Sequence, residues 1–83
     1  MNVLYFAWVK SKIGVAQETV TPPASVTTVG ALLDWLAGQS PAHADALANR
    51  TVIRVAVNQQ FAQLIDPVSP TDEIGVFPPV TGG

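Results

Sequence analysis

The first ten residues alternate in character. Val3, Tyr5, Ala7 and Val9 form one row, and Leu4, Phe6, Trp8 and Lys10 form the other. A period of two in a segment rich in β-branched and aromatic residues predicts a strand over residues 2–10. The second row ends in a lysine, which makes it the outer one. Leu4, Phe6 and Trp8 are then an apolar stripe on the outside of a sheet. Lys12-Ile13-Gly14 reads as a turn, and residues 17–21 alternate weakly, as a returning strand that Pro22-Pro23 would end.

The period then changes. Val29, Leu32, Leu33 and Leu36 fall at i, i+3, i+4 and i+7, one buried stripe of a helix. Thr27 or Thr28 can cap its start, and Gly38 with Pro41 beyond can stop it. Residues 41–49 are Ala-rich and suit a second short helix. Alternation returns at Thr51, Ile53, Val55 and Val57, with Val52, Arg54 and Ala56 on the opposite side. Asn58-Gln59 suits a tight turn into residues 61–64. Asp66-Pro67 and Ser69-Pro70 punctuate a loop. Residues 73–78 form the last strand, with Ile74 and Val76 inward and Phe77 outward. The expected class is α+β, with about five strands packed on one main helix and a short second one.

Composition narrows the role. At 83 residues the chain is one domain. It has no cysteine, which excludes a disulfide scaffold and thiolate chemistry. Charged residues are 12% and hydrophobic residues 48%, so some apolar surface faces outward and suits a protein partner. The basic residues are Lys10, Lys12, Arg50 and Arg54, and the net charge is −2. That leaves no basic patch for nucleic acid or an anionic membrane. The N-terminus lacks a charged leader, and no apolar run approaches the ~20 residues of a membrane span. A cytoplasmic location is expected.

The side chains offer little catalytic chemistry. His43 is the one histidine and reads as a surface residue of the short helix; without cysteine it builds no typical zinc site. No phosphate-binding glycine fingerprint and no nucleophile elbow occur. Asp72 and Glu73 are adjacent in a strand entry and point to opposite faces, as a solvated turn would leave them. Trp35 lies at the edge of the helix stripe.

The chain ends in Gly82-Gly83. Pro78-Pro79 favours stiff, extended geometry, and Val80 and Thr81 lead from it to the glycines. The segment spans about 20 Å. Glycine lacks Cβ, so residues 82 and 83 can enter a channel closed to any other residue. The carboxylate of Gly83 would be the functional group at the tip. A globular part over 1–78 and a mobile tail over 79–83 follow.

Several segments carry a resemblance: residues 3–7 (VLYFA), 28–33 (TVGALL), 55–59 (VAVNQ) and above all 72–83 (DEIGVFPPVTGG). Together they resemble the small subunit of molybdopterin synthase, the MoaD family of sulfur carriers, essentially end to end. The resemblance implies a ubiquitin-like β-grasp fold. It implies that Gly83 is adenylated by an E1-like, ATP-consuming enzyme, becomes a thiocarboxylate, and donates sulfur to a pterin precursor. The carrier would bind no cofactor and would not be catalytic alone. Its tail, Pro78, Pro79, Val80, Thr81 and Gly82, would thread a channel of the large subunit in a heterotetramer of two small and two large subunits. Phe6, Phe61 and Phe77, with Leu4 and Trp8, would meet the partner. A sulfur carrier for thiamine or cysteine synthesis, and a ubiquitin-like modifier or interaction module, are the alternatives.

Overall fold

The structure, a computed structural model, describes residues 1–79. In chain order the elements are β1 (Asn2–Tyr5), α1 (Ala7–Ile13), β2 (Gln17–Thr19), α2 (Val29–Ala37) and α3 (Pro41–Leu47). A 3₁₀ turn (Arg50–Val52), β3 (Arg54–Val57), β4 (Gln60–Ala62) and β5 (Glu73–Phe77) follow. The strands make one mixed sheet in the order β2-β1-β5-β3-β4. β5 is central, parallel to β1 and antiparallel to β3.

Alternation sorts the side chains cleanly. Val3 and Tyr5 of β1, Val55 of β3, and Ile74 and Val76 of β5 face inward and are buried. They pack against Val9 of α1, Leu32, Leu33 and Leu36 of α2, and Ala46 and Leu47 of α3. Each fully buried Leu or Val of this set stabilises the fold by about 1.5–3 kcal/mol gross. All three helices therefore bury their apolar sides on one face of the sheet. This is the β-grasp expected from the sequence.

α2 forms as the periodicity predicts, and the N–H groups of its first three residues find partners. Thr28 Oγ1 accepts from Ala31 N–H at 3.2 Å. The loop after β4 supplies the rest: Val29 N–H donates to the Asp66 carbonyl and Gly30 N–H to the Leu64 carbonyl, each at 2.9 Å. These are the donors that a helix start leaves unpaired. A Cβ on Gly30 would stand 3.2 Å from the Leu64 carbonyl oxygen, so glycine permits this close approach. The β3–β4 hairpin also forms as expected. Asn58 and Gln59 take φ of 51° and 69°, the doubly left-handed turn that suits the twist of paired strands.

The expected strand over residues 2–10 is half wrong. β1 stops at Tyr5, and Trp8 and Val9 lie on α1. The break is at Ala7, whose φ is +53°. Phe6 N–H still bonds to the Val76 carbonyl at 3.1 Å, while the Phe6 carbonyl already accepts from Val9 and Lys10 N–H. Strand and helix thus meet at one residue. Val9 is buried from the helix, which mimics the alternating pattern; Ala7, placed inward by that pattern, is exposed. The expected Leu4–Phe6–Trp8 stripe is interrupted after Phe6, because Trp8 is half-buried beside the core. Gly14 is a turn residue as expected. It closes α1 in the left-handed conformation, φ 97°, with its N–H on the Lys10 carbonyl at 2.8 Å.

Candidate functional site

β5 carries the chain toward its end from the middle of the sheet. Its last residue, Phe77, pairs with Arg54 at the start of β3, and Val76 pairs with Tyr5 at the end of β1. Residues 78 and 79 therefore leave the sheet between the end of β1 and the beginning of β3. Both prolines are half-buried. Val80, Thr81, Gly82 and Gly83, and with them the expected mobile tail, lie outside the described residues.

The face opposite the helices adjoins this exit. Leu4, Gly75, Phe77, Arg54, Ala56 and Phe61 all point there, as the cross-strand register requires. Phe61 is 82% exposed, and its ring lies 5.8 Å from that of Phe77. Phe6, 48% exposed, reaches over Gly75: a Cβ built there would be 3.5 Å from Phe6 Cε2. Gly75 and Ala56 are thus a low floor between Phe6 on one side and Phe61 and Phe77 on the other. The structure brings Phe6, Phe61, Phe77 and Leu4 to one face and leaves Trp8 on α1. Ile65, in the loop that caps α2, is 80% exposed, which no periodicity indicated.

His43 is not a surface residue. Its side chain is 12% exposed and joins a polar network under α3. Nε2 lies 2.7 Å from Glu18 Oε2, and Nδ1 lies 2.7 Å from Ser40 Oγ. Tyr5 OH donates to the same Glu18 oxygen at 2.5 Å. Burial raises the Glu18 carboxyl, but the hydrogen bonds from His43 and Tyr5 outweigh it and hold the group below its ordinary range. Burial, then the bond to Glu18, pushes the Tyr5 phenol well above its ordinary value, so it stays a donor. Ser40 also caps α3 by accepting from His43 N–H at 3.1 Å. These bonds tie β1, β2 and α3 together.

Asp72 behaves as the solvated-turn reading expects. It accepts from Asn58 Nδ2 at 2.9 Å and from Ser69 N–H at 2.7 Å, and these bonds lower its carboxyl. Among the described residues no cluster of three metal-ligating side chains occurs. No helix among them is long and apolar enough to cross a membrane.

Comparison with known proteins agrees with this geometry. The chain is 39% identical to the molybdopterin synthase sulfur carrier subunit of Escherichia coli, over 100% of this chain and 99% of that one. It is 36% identical to the human protein of the same name, over 100% of this chain and 93% of that one. Among solved structures, the small archaeal modifier protein 1 of Haloferax volcanii superposes with a TM-score of 0.76 at 31% identity, covering 96% of this chain and 97% of that one. The ThiS family matches residues 3–83, and the chain belongs to that family of ubiquitin-like sulfur carriers.

Proposed function

We propose that this protein is the sulfur-carrier subunit of a molybdopterin synthase. The observation that carries the reading is the tail-exit geometry: β5 delivers the C-terminal segment from the centre of the sheet, beside an open apolar face of Leu4, Phe6, Phe61 and Phe77. The end-to-end similarity to two molybdopterin synthase sulfur carrier subunits supports it.

The chemistry resides in Gly83. A carboxylate is a poor acyl donor. Adenylation by an E1-like enzyme consumes ATP and places a good leaving group on the Gly83 carbonyl. Pyrophosphate leaves in that step; sulfur delivered at the sulfide level then displaces AMP, leaving a thiocarboxylate, which is anionic near neutral pH and a soft nucleophile. The tail, Pro78 to Gly82, threads into the large catalytic subunit, where the thiocarboxylate sulfur bonds to a pterin precursor and water then cleaves the bond from sulfur to the Gly83 carbonyl, restoring the carboxylate. Proximity and any general base belong to the partner. The carrier holds no cofactor of its own. Two carriers and two large subunits make the working assembly, in the cytoplasm. Trp8, expected to meet the partner with Phe6, Phe61 and Phe77, is half-buried on α1 rather than on the sheet face.

Complementation tests the reading. The intact chain should restore molybdoenzyme activity to a strain lacking its own carrier, and the same chain without Gly83, or with one residue added after it, should not. Full rescue by the Gly83-deleted chain, or rescue of thiamine auxotrophy alone, would contradict the assignment. The likeness to an archaeal modifier protein favours one second reading, in which the activated Gly83 is passed to a lysine of a target protein. Lysine adducts in cells without any thiocarboxylate would favour it.

A further inference from the structure

Three features are used neither by the tail nor by the apolar side chains beside it. A groove of about 410 Å³ lies at the far end of the sheet, among Met1, Val20, Pro22, Val26 and Val68. Its walls offer no charged side chain and nothing there indicates an occupant. The Ser40–His43–Glu18 chain of hydrogen bonds is consumed by capping and strand anchoring. Arg54 is different.

Two of the four basic side chains have carboxylate partners. Lys12 pairs with Asp45 at 3.0 Å, and Arg50 pairs with Asp34 at 2.8 Å. Arg54 has no carboxylate partner among the described residues. It is exposed, on the same face as Phe77, and directly opposite it in the β3–β5 register. One terminal nitrogen, Nη1, donates to the carbonyls of Thr51 at 3.1 Å and Ile53 at 2.9 Å. The guanidinium is therefore held by its own backbone at the mouth where residues 78 and 79 leave. Nη2 and Nε make no bond within the described chain. An arginine fixed in this way presents its remaining donors in a planar fork that fits a carboxylate. Phe77 opposite it, and Phe61 whose ring lies 5.8 Å from that of Phe77, would exclude water from such a pair once a partner covers them, and an ion pair gains strength as water leaves.

We propose that Arg54 is a specificity-determining residue of the docking face, which takes an aspartate or glutamate of the large catalytic subunit beside the entry of the tail. The inference rests on the reading of this face as the docking surface. It assigns the apolar residues to area and Arg54 to orientation, since a single charge at the rim of an apolar patch fixes register and suppresses wrong partners. The face thereby selects a partner whose apolar patch carries an acid at the edge of its channel.

The test is titration calorimetry of the full chain with the large catalytic subunit of its own synthase, at about 50 mM and about 500 mM salt. Wild type, Arg54→Gln, Arg54→Lys and Phe61→Ala are compared. Arg54→Gln should weaken binding about fivefold or more at low salt and much less at high salt. Arg54→Lys should recover part of the loss, and Phe61→Ala should lose equally at both salts. Arg54→Gln within twofold of wild type at both salts, while Phe61→Ala binds weakly, would overturn the role of Arg54 alone. If Phe61→Ala is also unchanged, the docking face itself is wrong. A loss by Arg54→Gln that ignores salt would mean packing rather than charge. An effect seen only with the adenylating enzyme, or only in self-association of the isolated chain by sedimentation, would assign Arg54 to another occupant and overturn the proposal as stated.

Discussion

His43 Nε2 lies 2.7 Å from Glu18 Oε2, joining residues 25 apart in sequence. Glu18 points to the helix side of the edge strand β2, opposite Val3, where a charged group needs partners. It finds them in His43 from α3 and Tyr5 from β1. An edge strand three residues long is thereby pinned to a helix it does not follow in sequence.

The pin carries a pH dependence. The Glu18 carboxyl is held below its ordinary value of 4.5 in the folded chain. Its contribution to stability is therefore complete above 4.5 and is lost as the pH falls through the lower folded value. Glu18→Gln should cost about 1–2 kcal/mol at neutral pH. The gap to wild type should shrink as the pH drops below 4.5. Urea unfolding across a pH series measures it. A gap that stays constant into acid would contradict the role of the charge.

Ala7 should be improvable. A non-glycine residue at φ +53° is strained, and glycine is not. Ala7→Gly should raise stability by about 0.5–1 kcal/mol despite the added freedom of the unfolded chain. Thermal unfolding would show this as a rise of a few degrees. A lower melting temperature would mean that the junction tolerates alanine without strain.

The same residue explains what the sequence conceals. The α2 stripe of Val29, Leu32, Leu33 and Leu36 is legible because each position reports one local period, and all four are buried. The Asn58-Gln59 turn and the inward Ile74 and Val76 are legible for the same reason. At Ala7 the period changes without a glycine or proline to mark it, and Val9 suits both a strand row and a helix side. The burial of His43 depends on Glu18 and Tyr5, which only the finished fold brings near. On the apolar face, Phe6 and Phe77 are readable from alternation. Arg54 is placed on that side by alternation too, but the backbone carbonyls that hold it are not visible in the pattern.

Phe61 should separate stability from recognition. At 82% exposed it contributes little to the fold, so Phe61→Ala should change stability by no more than about 0.5 kcal/mol. Binding to the large subunit should weaken by about 2 kcal/mol, as expected of an aromatic anchor. Paired unfolding and binding measurements check both. A destabilised but fully binding variant would reverse the assignment.

Gly75 should act through Phe6. Its absent side chain leaves the hollow into which Phe6 reaches. Gly75→Ala would place a methyl in ordinary contact with the ring and should be tolerated. Gly75→Leu should displace the ring and weaken docking about tenfold, close to the effect of a lost anchor. Binding by Gly75→Leu at wild-type strength would show that the position of Phe6 is immaterial to the partner.

Everything proposed for this protein depends on whether Gly83 carries sulfur. The most direct measurement is the intact mass of the protein after incubation with an E1-like activating enzyme, ATP and a sulfur source. One oxygen should be replaced by sulfur, located at Gly83 by fragmentation. An unchanged mass, with an activating enzyme that converts another carrier under the same conditions, would contradict it.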